Sequence, residues 1–348
     1  MNPSIAPAIS VVVPTFNRAC MLRDLLVSLT SQTLSRSKFE IVVVDDGSTD
    51  DTREMVAEFS RNTDYFIRYF WQPNSLAGAA RNHGIREARS RIVLFIDSDI
   101  VANEEHLQLH LDFHDRYPER EVAVIGRFTP GITGVDLRRD LLDGLEVGMT
   151  EKGDPMVHAL RFTTADVSLK KEFLIDGGLF RPGLPLDEDI DLALRLRELG
   201  MKLVYCRDAI ALHMTPLDSV EKIIAEGKRY GRVFADYYGR IPVYRDDAWW
   251  NLGARFSGGW RQLTQEPMKY FKNTLSRWTV NQCSVGPIAW VARRIPIGPP
   301  TSRLLRRLSK EIWAFYYRDE FRKRRTEMGL PRRVKAPSGV SADQRKHG

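Results

Sequence analysis

Up to residue 99 the chain alternates short apolar, β-branched runs with longer stretches in which apolar residues recur every three or four positions. ISVVVPTF (9–16) is followed by ACMLRDLLVSLTSQ, whose Leu22, Leu25, Leu26 and Leu29 define one helical face. FEIVVVDD (39–46) repeats the strand pattern, and the GSTD that closes it supplies good caps for a helix over DDTREMVAEF. YFIRYFW (65–71) and RIVLFIDSD (91–99) add a third and a fourth strand, with a helical AGAARNHGIREA (77–88) between them. Near-continuous Val/Ile runs separated by helices predict an α/β fold, a mostly parallel sheet with helices on both faces.

Further along, LPLDEDIDLALRLRELG (184–200) predicts a short helix with an apolar stripe of Leu192, Leu196 and Leu199 and an Asp191–Arg195 pair one turn apart. KLVYC and AIALH follow as two further strands, the second ending on His213. From SVEKIIAEGKRYGRVFADYYGRIP (219–242) onward the text is helical and aromatic, and Trp249, Trp250 and Trp260 are expected to pack rather than to stack on ligand. The layout is an α/β domain over 1–216, a helical, aromatic-rich extension over 217–300, a basic amphipathic helix over 301–335 and a disordered tail over 336–348.

Charge sharpens this layout. The formal net charge is +7, yet residues 293–335 hold 14 Lys or Arg against 4 Asp or Glu, so the remainder is slightly acidic. Leu304, Leu308, Ile312 and Phe315 share one face among these arginines. Such a helix suits an anionic membrane surface, where each basic residue contributes about 1 kcal/mol. It equally suits docking on the α/β domain with its basic face solvated. Nucleic acid is the weaker partner, because no reading module accompanies the charge. WTVNQCSVGPIAWVA, 15 residues long, falls short of the roughly 20 apolar residues that a membrane-spanning helix needs. The first residues carry no basic leader, and the three cysteines show no metal-ligand spacing. The expectation is a cytoplasmic protein with its thiols used as core filler, in peripheral contact at most with the inner face of a membrane.

Candidate chemistry gathers at one place. In such sheets ligands bind outside the C-terminal strand ends, and PTFNR, DDGS and DSD each follow a predicted strand there. Asp97 and Asp99, two apart on extended chain, face the same side, and a cation is the simplest relief of their repulsion. Asp45 and Asp46 belong to the same sheet edge. A second acidic group holds four acids in positions 187–191, after a Gly/Pro-rich loop of the kind that lines sites.

The order of VVVPTFNR, IVVVDDGSTDDT, GAARNHGIREA, IVLFIDSD and DEDIDLALRLRELG resembles the family 2 glycosyltransferases over about residues 8–214. The resemblance implies the GT-A fold and transfer of a sugar from a nucleotide-sugar to an acceptor hydroxyl, usually with inversion, assisted by Mg²⁺ or Mn²⁺. It places Pro14, Thr15, Asn17 and Arg18 around the nucleotide, Asp45 or Asp46 at the base or ribose, and Arg81 in the diphosphate pocket. It makes Asp97 and Asp99 the DxD pair, with Asp99 as metal ligand and Asp97 at the ribose or the metal's waters. Glu188 and Asp189 become the catalytic acids, Asp189 the general base, and His213 an additional metal or phosphate contact. TTADVSLKK (163–171) departs from the family, since many members have a Gly-Ala-Asn stretch there.

The implied partners are a nucleotide-sugar, a UDP-sugar first, and a saccharide or lipid-linked acceptor of the cell-envelope or exopolysaccharide type. A retaining GT-A enzyme remains an alternative. A nucleotidyltransferase would show a Gly-rich basic loop after strand one, which PTFNRAC lacks, and a noncatalytic binding module would have no use for Glu188-Asp189.

Overall fold

The computed structural model describes residues 6–130, 146–157, 159–184 and 188–214, and, beyond these, 221, 224–225, 227–229, 231–232, 235–236, 316 and 319–329. The chain divides into two compact units, Met1–Pro216 and Leu217–Gly348. The expected tryptophan-rich segment, most of the basic helix and the tail lie outside the described residues, as does Asp187.

In the first unit β1 (Ile9–Thr15), α1 (Ala19–Thr30), β2 (Phe39–Asp45), α2 (Thr52–Arg61), β3 (Ile67–Trp71), α3 (Ala77–Glu87) and β4 (Ile92–Ile96) follow the predicted alternation. β5 (Ile100–Ala102), α4 (His106–Arg116), β6 (Val122–Pro130), β7 (Glu146–Met149), β8 (Pro155–Val157), β9 (Asp166–Lys170), α5 (Lys171–Asp176), α6 (Glu188–Glu198) and β10 (Lys202–His213) complete it. One sheet runs β3-β2-β1-β4-β9-β6-β10-β8-β7, with β5 pairing the end of β10. It is parallel through β3-β2-β1-β4 and between β6 and β10, and antiparallel where β5, β7, β8 and β9 join.

Successive strand residues face opposite sides, so a run apolar at every position must be covered twice. Val12, Val42, Val44, Val93 and Phe95 pack under Ala80 and Ile85 of α3, Phe173 of α5 and Leu192 and Leu196 of α6. Ile9, Val11, Val13, Ile41, Val43, Leu94 and Ile96 pack under Leu22, Leu25, Leu26 and Leu29 of α1 and Leu107 and Leu111 of α4. This two-sided cover explains the unbroken Val/Ile runs.

Several expectations change. KLVYC and AIALH form one strand, β10, which advances from Tyr205 to Ile210 while β6 advances only from Ile125 to Arg127. The polar residues between them are a bulge, not a chain reversal. Leu199 is exposed rather than part of the α6 stripe. The helix ends before it: Gly200 takes φ 89°, its N–H bonding Arg197 O and that of Met201 bonding Leu196 O, a Schellman termination. Cys206 is buried core, and burial pushes its thiol up to about 11, whereas Cys20 is exposed and fills no core.

In the second unit, Arg232 pairs with Glu320 at 2.7 Å and Arg324 with Asp236 at 2.8 Å, while the Lys228 ammonium lies over the Tyr316 ring. Among the described residues no helix is long and apolar enough to cross a membrane.

Candidate active site

Because β1 lies between β2 and β4, the turns that follow these three strands open on one edge of the sheet. The first two turns are tied together. Asn17, at φ 51°, receives Ser48 Oγ as acceptor for its N–H at 2.8 Å, and its Oδ1 accepts from the Thr49 N–H at 2.7 Å. Asn tolerates this left-handed conformation better than most residues, which fits it to the sharp exit from Pro14-Thr15. Thr15 is buried and stands in register with Asp45, whose Oδ1 accepts from the Ser48 N–H and whose Oδ2 accepts from the Tyr69 hydroxyl. Burial, and then the Asp45 carboxylate, push the Tyr69 phenol up. Asp46 accepts from Gln72 Nε2 at 2.7 Å and from the Ser75 N–H at 2.9 Å. Both acids shape the turn.

The third turn differs from its expected form. β4 ends at Ile96, and Asp97-Ser98-Asp99 is a turn closed by the Ile100 N–H on Asp97 O, so the two acids do not share one face of a strand. Each has its own cationic partner. Arg18 pairs with Asp99 Oδ2, and His213 Nε2 lies 3.3 Å from the same oxygen. His213 arrives there because β10 pairs with β5, setting His213 opposite Ile100 and letting the Met214 N–H bond Asp99 O. Arg81 Nη2 donates to Asp97 Oδ1 at 2.7 Å, and its Nη1 donates to Glu188 Oε1 at 2.5 Å.

Arg81 therefore joins the turn after β4 to the first turn of α6, across 107 residues of sequence. Its side chain is only 5% exposed. Burial alone would lower its pKa, but the charges of Asp97, Glu188 and Asp189 outweigh burial and raise it. Burial pushes the Glu188 carboxyl up, opposed by Arg81 and reinforced by Asp189. Asp189, also buried, accepts from the Ile190 N–H. Asn82, beside Arg81 on α3, holds the loop before α6 through both the carbonyl and the N–H of Phe180.

Pro14, Thr15, Asn17, Arg18, Asp45 and Asp46 thus form one side of the edge, and Arg81, Asp97, Asp99, Glu188, Asp189 and His213 the other. Asp97 and Asp99 are carboxylates already paired with guanidinium groups, and His213 adds an imidazole beside Asp99, a donor set that fits Mn²⁺ or Mg²⁺. Sequence reading did not find a second polar group, buried between α4 and β9: His106, His110 and His114 with Asp166, Ser168 and Lys170. Its signal was present in the four-residue histidine spacing of HLQLHLDFH opposite the alternation of DVSLK.

A family model, glycosyl transferase family 2, matches residues 10–161, which carry the turns after β1, β2 and β4. The chain is a glycosyltransferase whose likeness to family 2 is carried by residues 10–161. It is 28% identical over 259 residues to glycosyltransferase AglE of Haloferax volcanii, covering 70% of this chain and 76% of that protein. A validoxylamine A glucosyltransferase of Streptomyces hygroscopicus is 38% identical over 113 residues, 32% of this chain but only 26% of that protein. Among solved structures, the mannosyltransferase PcManGT of Pyrobaculum calidifontis, in complex with GDP-Man and Mn²⁺, matches with TM-score 0.55 and 18% identity, covering 92% of this chain and 88% of that one. Staphylococcus aureus TarS 1–349 in complex with UDP matches with TM-score 0.51 and 20% identity, covering 95% and 94%. These likenesses show the GT-A fold for this glycosyltransferase.

Proposed function

We propose that this glycosyltransferase moves a sugar from a nucleotide-sugar, a UDP-sugar first, to a saccharide or lipid-linked acceptor hydroxyl by a single inverting displacement. The observation that carries the reading is Arg81, which brings the acidic start of α6 against the Asp97-Ser98-Asp99 turn. Leaving-group and acceptor chemistry need separate acids, and this link supplies them from distant parts of the chain.

The turns after β1 and β2, clipped by Asn17, receive the nucleoside. Asp99, with Asp97 and His213, would hold Mg²⁺ or Mn²⁺, which when bound supplies positive charge to the departing diphosphate. Asp189 accepts the proton of the attacking hydroxyl. A carboxylate within hydrogen-bond reach of the acceptor can take this proton as the hydroxyl acidifies during attack. Glu188 holds Arg81 and so sets the spacing of α6 from the turn. The GDP-Man and UDP complexes among similar folds support a nucleotide-sugar partner, as does the TarS name, a poly(ribitol-phosphate) β-N-acetylglucosaminyltransferase, for a cell-envelope acceptor.

Calorimetry with donor and Mn²⁺ tests the assignments. Asp189→Asn should bind donor as the wild type does and lose transfer, while Asp99→Ala should lose metal-dependent donor binding. Wild-type transfer by Asp189→Asn sinks the proposed base. A thermal-shift panel of UDP-, GDP- and dTDP-sugars identifies the donor, a hundredfold excess over Kd stabilising by about 2.7 kcal/mol. NMR of the product's anomeric centre decides between inversion and retention.

A further inference from the structure

The geometry points to a second metal site, of the zinc class, made by His106, His110 and Asp166 and fastening α4 to β9 beneath the Asp97-Ser98-Asp99 turn. His106 and His110 are one helical turn apart on α4, so their rings lie side by side, with centroids 4.8 Å apart. Both Nε2 atoms converge on Asp166 Oδ1, at 2.9 and 3.2 Å, and the three donor atoms all lie within 4.8 Å of one another. Ligand atoms about 2.0–2.1 Å from a tetrahedral zinc are themselves roughly 3.3 Å apart, close to the two nitrogen–carboxylate distances found here.

Three further features favour a cation over a hydrogen-bonded cluster. All three side chains are fully buried, and an isolated buried carboxylate needs a positive partner. Asp166 Oδ2 is buried with no hydrogen-bond partner among the described residues. Oδ2 is available as a fourth donor atom. Finally, His110 Nδ1 meets Ser168 Oγ at 2.8 Å, the outer contact that fixes the ring of a metal-ligating histidine.

Gly126 leaves the room that the Asp166 carboxylate occupies, since a methyl there would overlap Oδ2.

Two imidazoles and a carboxylate select zinc or cobalt over magnesium, in contrast to the donor set of Asp97, Asp99 and His213. Asp166 stands in register with Ile96, the residue immediately before Asp97. A zinc ion here would be structural. It would brace the strand on which the turn rests without entering the sugar-transfer site.

The test uses the tag-free full chain, stripped with EDTA and titrated with zinc against a chromophoric chelator, in the wild type and in Asp99→Ala, which lacks the donor-site metal ligand. One zinc per chain is expected in both, and the stripped wild type should regain melting temperature on adding zinc without donor. Asp166→Asn should abolish this binding, and Ser168→Ala, which frees the His110 ring, should weaken it about 10–100-fold. Absence of tight zinc and of any zinc-dependent melting shift in the wild type overturns the proposal, even if Asp166→Asn fails to fold. So does undiminished zinc binding by a folded Asp166→Asn, which would place the ion elsewhere.

Discussion

Arg81 is the residue whose removal says most about the site. Its buried guanidinium is shared by Glu188 and by Asp97, whose side chain is 33% exposed, so Arg81→Ala leaves two acids without their cation. Breaking a fully buried pair costs about 3–5 kcal/mol, mostly because the remaining charge is uncompensated, and solvent at Asp97 holds the cost here to the lower end of that range. Urea denaturation should show a loss of that size, and Arg81→Ala combined with Glu188→Gln should lose less than the two single losses added together. Strict additivity would mean that the two side chains are not coupled. At this scale the sequence was informative about residue type and poor about partners. Asp97 and Asp99 stood out as acids ending an apolar run, but their cations were invisible, because Arg81 and Arg18 stand 16 and 81 residues away and meet them only in the fold, as Arg81 meets Glu188 only when α3 and α6 cover the same face of the sheet.

At the scale of elements, α3 places Arg81 only because it lies very close to β1. Gly84 permits this approach, since a methyl there would overlap Val12 Cγ1. Two effects oppose each other in Gly84→Ala. Helix propensity favours alanine by about 1 kcal/mol, whereas overpacking a tight core costs about 1–3 kcal/mol. Val12 is a β-branched, fully buried residue of a central strand and cannot swing aside, so overpacking should prevail and the variant should be net destabilised in urea. A more stable Gly84→Ala would show that α3 can move away from β1, and donor binding would then be expected to stay intact. The elements that were legible in the sequence are those covered on both faces, where burial writes a continuous apolar run. α4 was not legible for a related reason. Leu107, Leu109, Leu111 and Phe113 alternate with polar residues as in a strand, and part of the buried face of this helix is made of His106, His110 and His114, which look polar until Asp166, Ser168 and Lys170 are seen to meet them.

At the scale of the molecule, the apolar clusters that cover both sheet faces draw all their members among the described residues from residues 9–211, within the first unit. The residues proposed to bind donor and metal also lie there. A fragment of residues 1–216 should therefore melt cooperatively and keep its Mn²⁺-dependent shift with the correct nucleotide-sugar. The basic surplus belongs to the second unit, and part of it is already engaged: Arg324 pairs with Asp236 and Glu327, Lys323 with Asp319, and Arg232 with Glu320. An arginine held in such a pair attracts anionic headgroups less than a free one, so membrane recruitment must come from the basic residues outside these pairs. If a lipid-linked acceptor is the physiological substrate, the chain ending at Pro300 should lose co-sedimentation with anionic vesicles and lose turnover on vesicle-borne acceptor, while turnover on a water-soluble acceptor is preserved. Unchanged vesicle binding by that truncation would exclude residues 301–348 as the anchor. Equal loss on both acceptors would assign the segment to folding or to the acceptor site itself, because recruitment to a surface affects only substrates that reside on it.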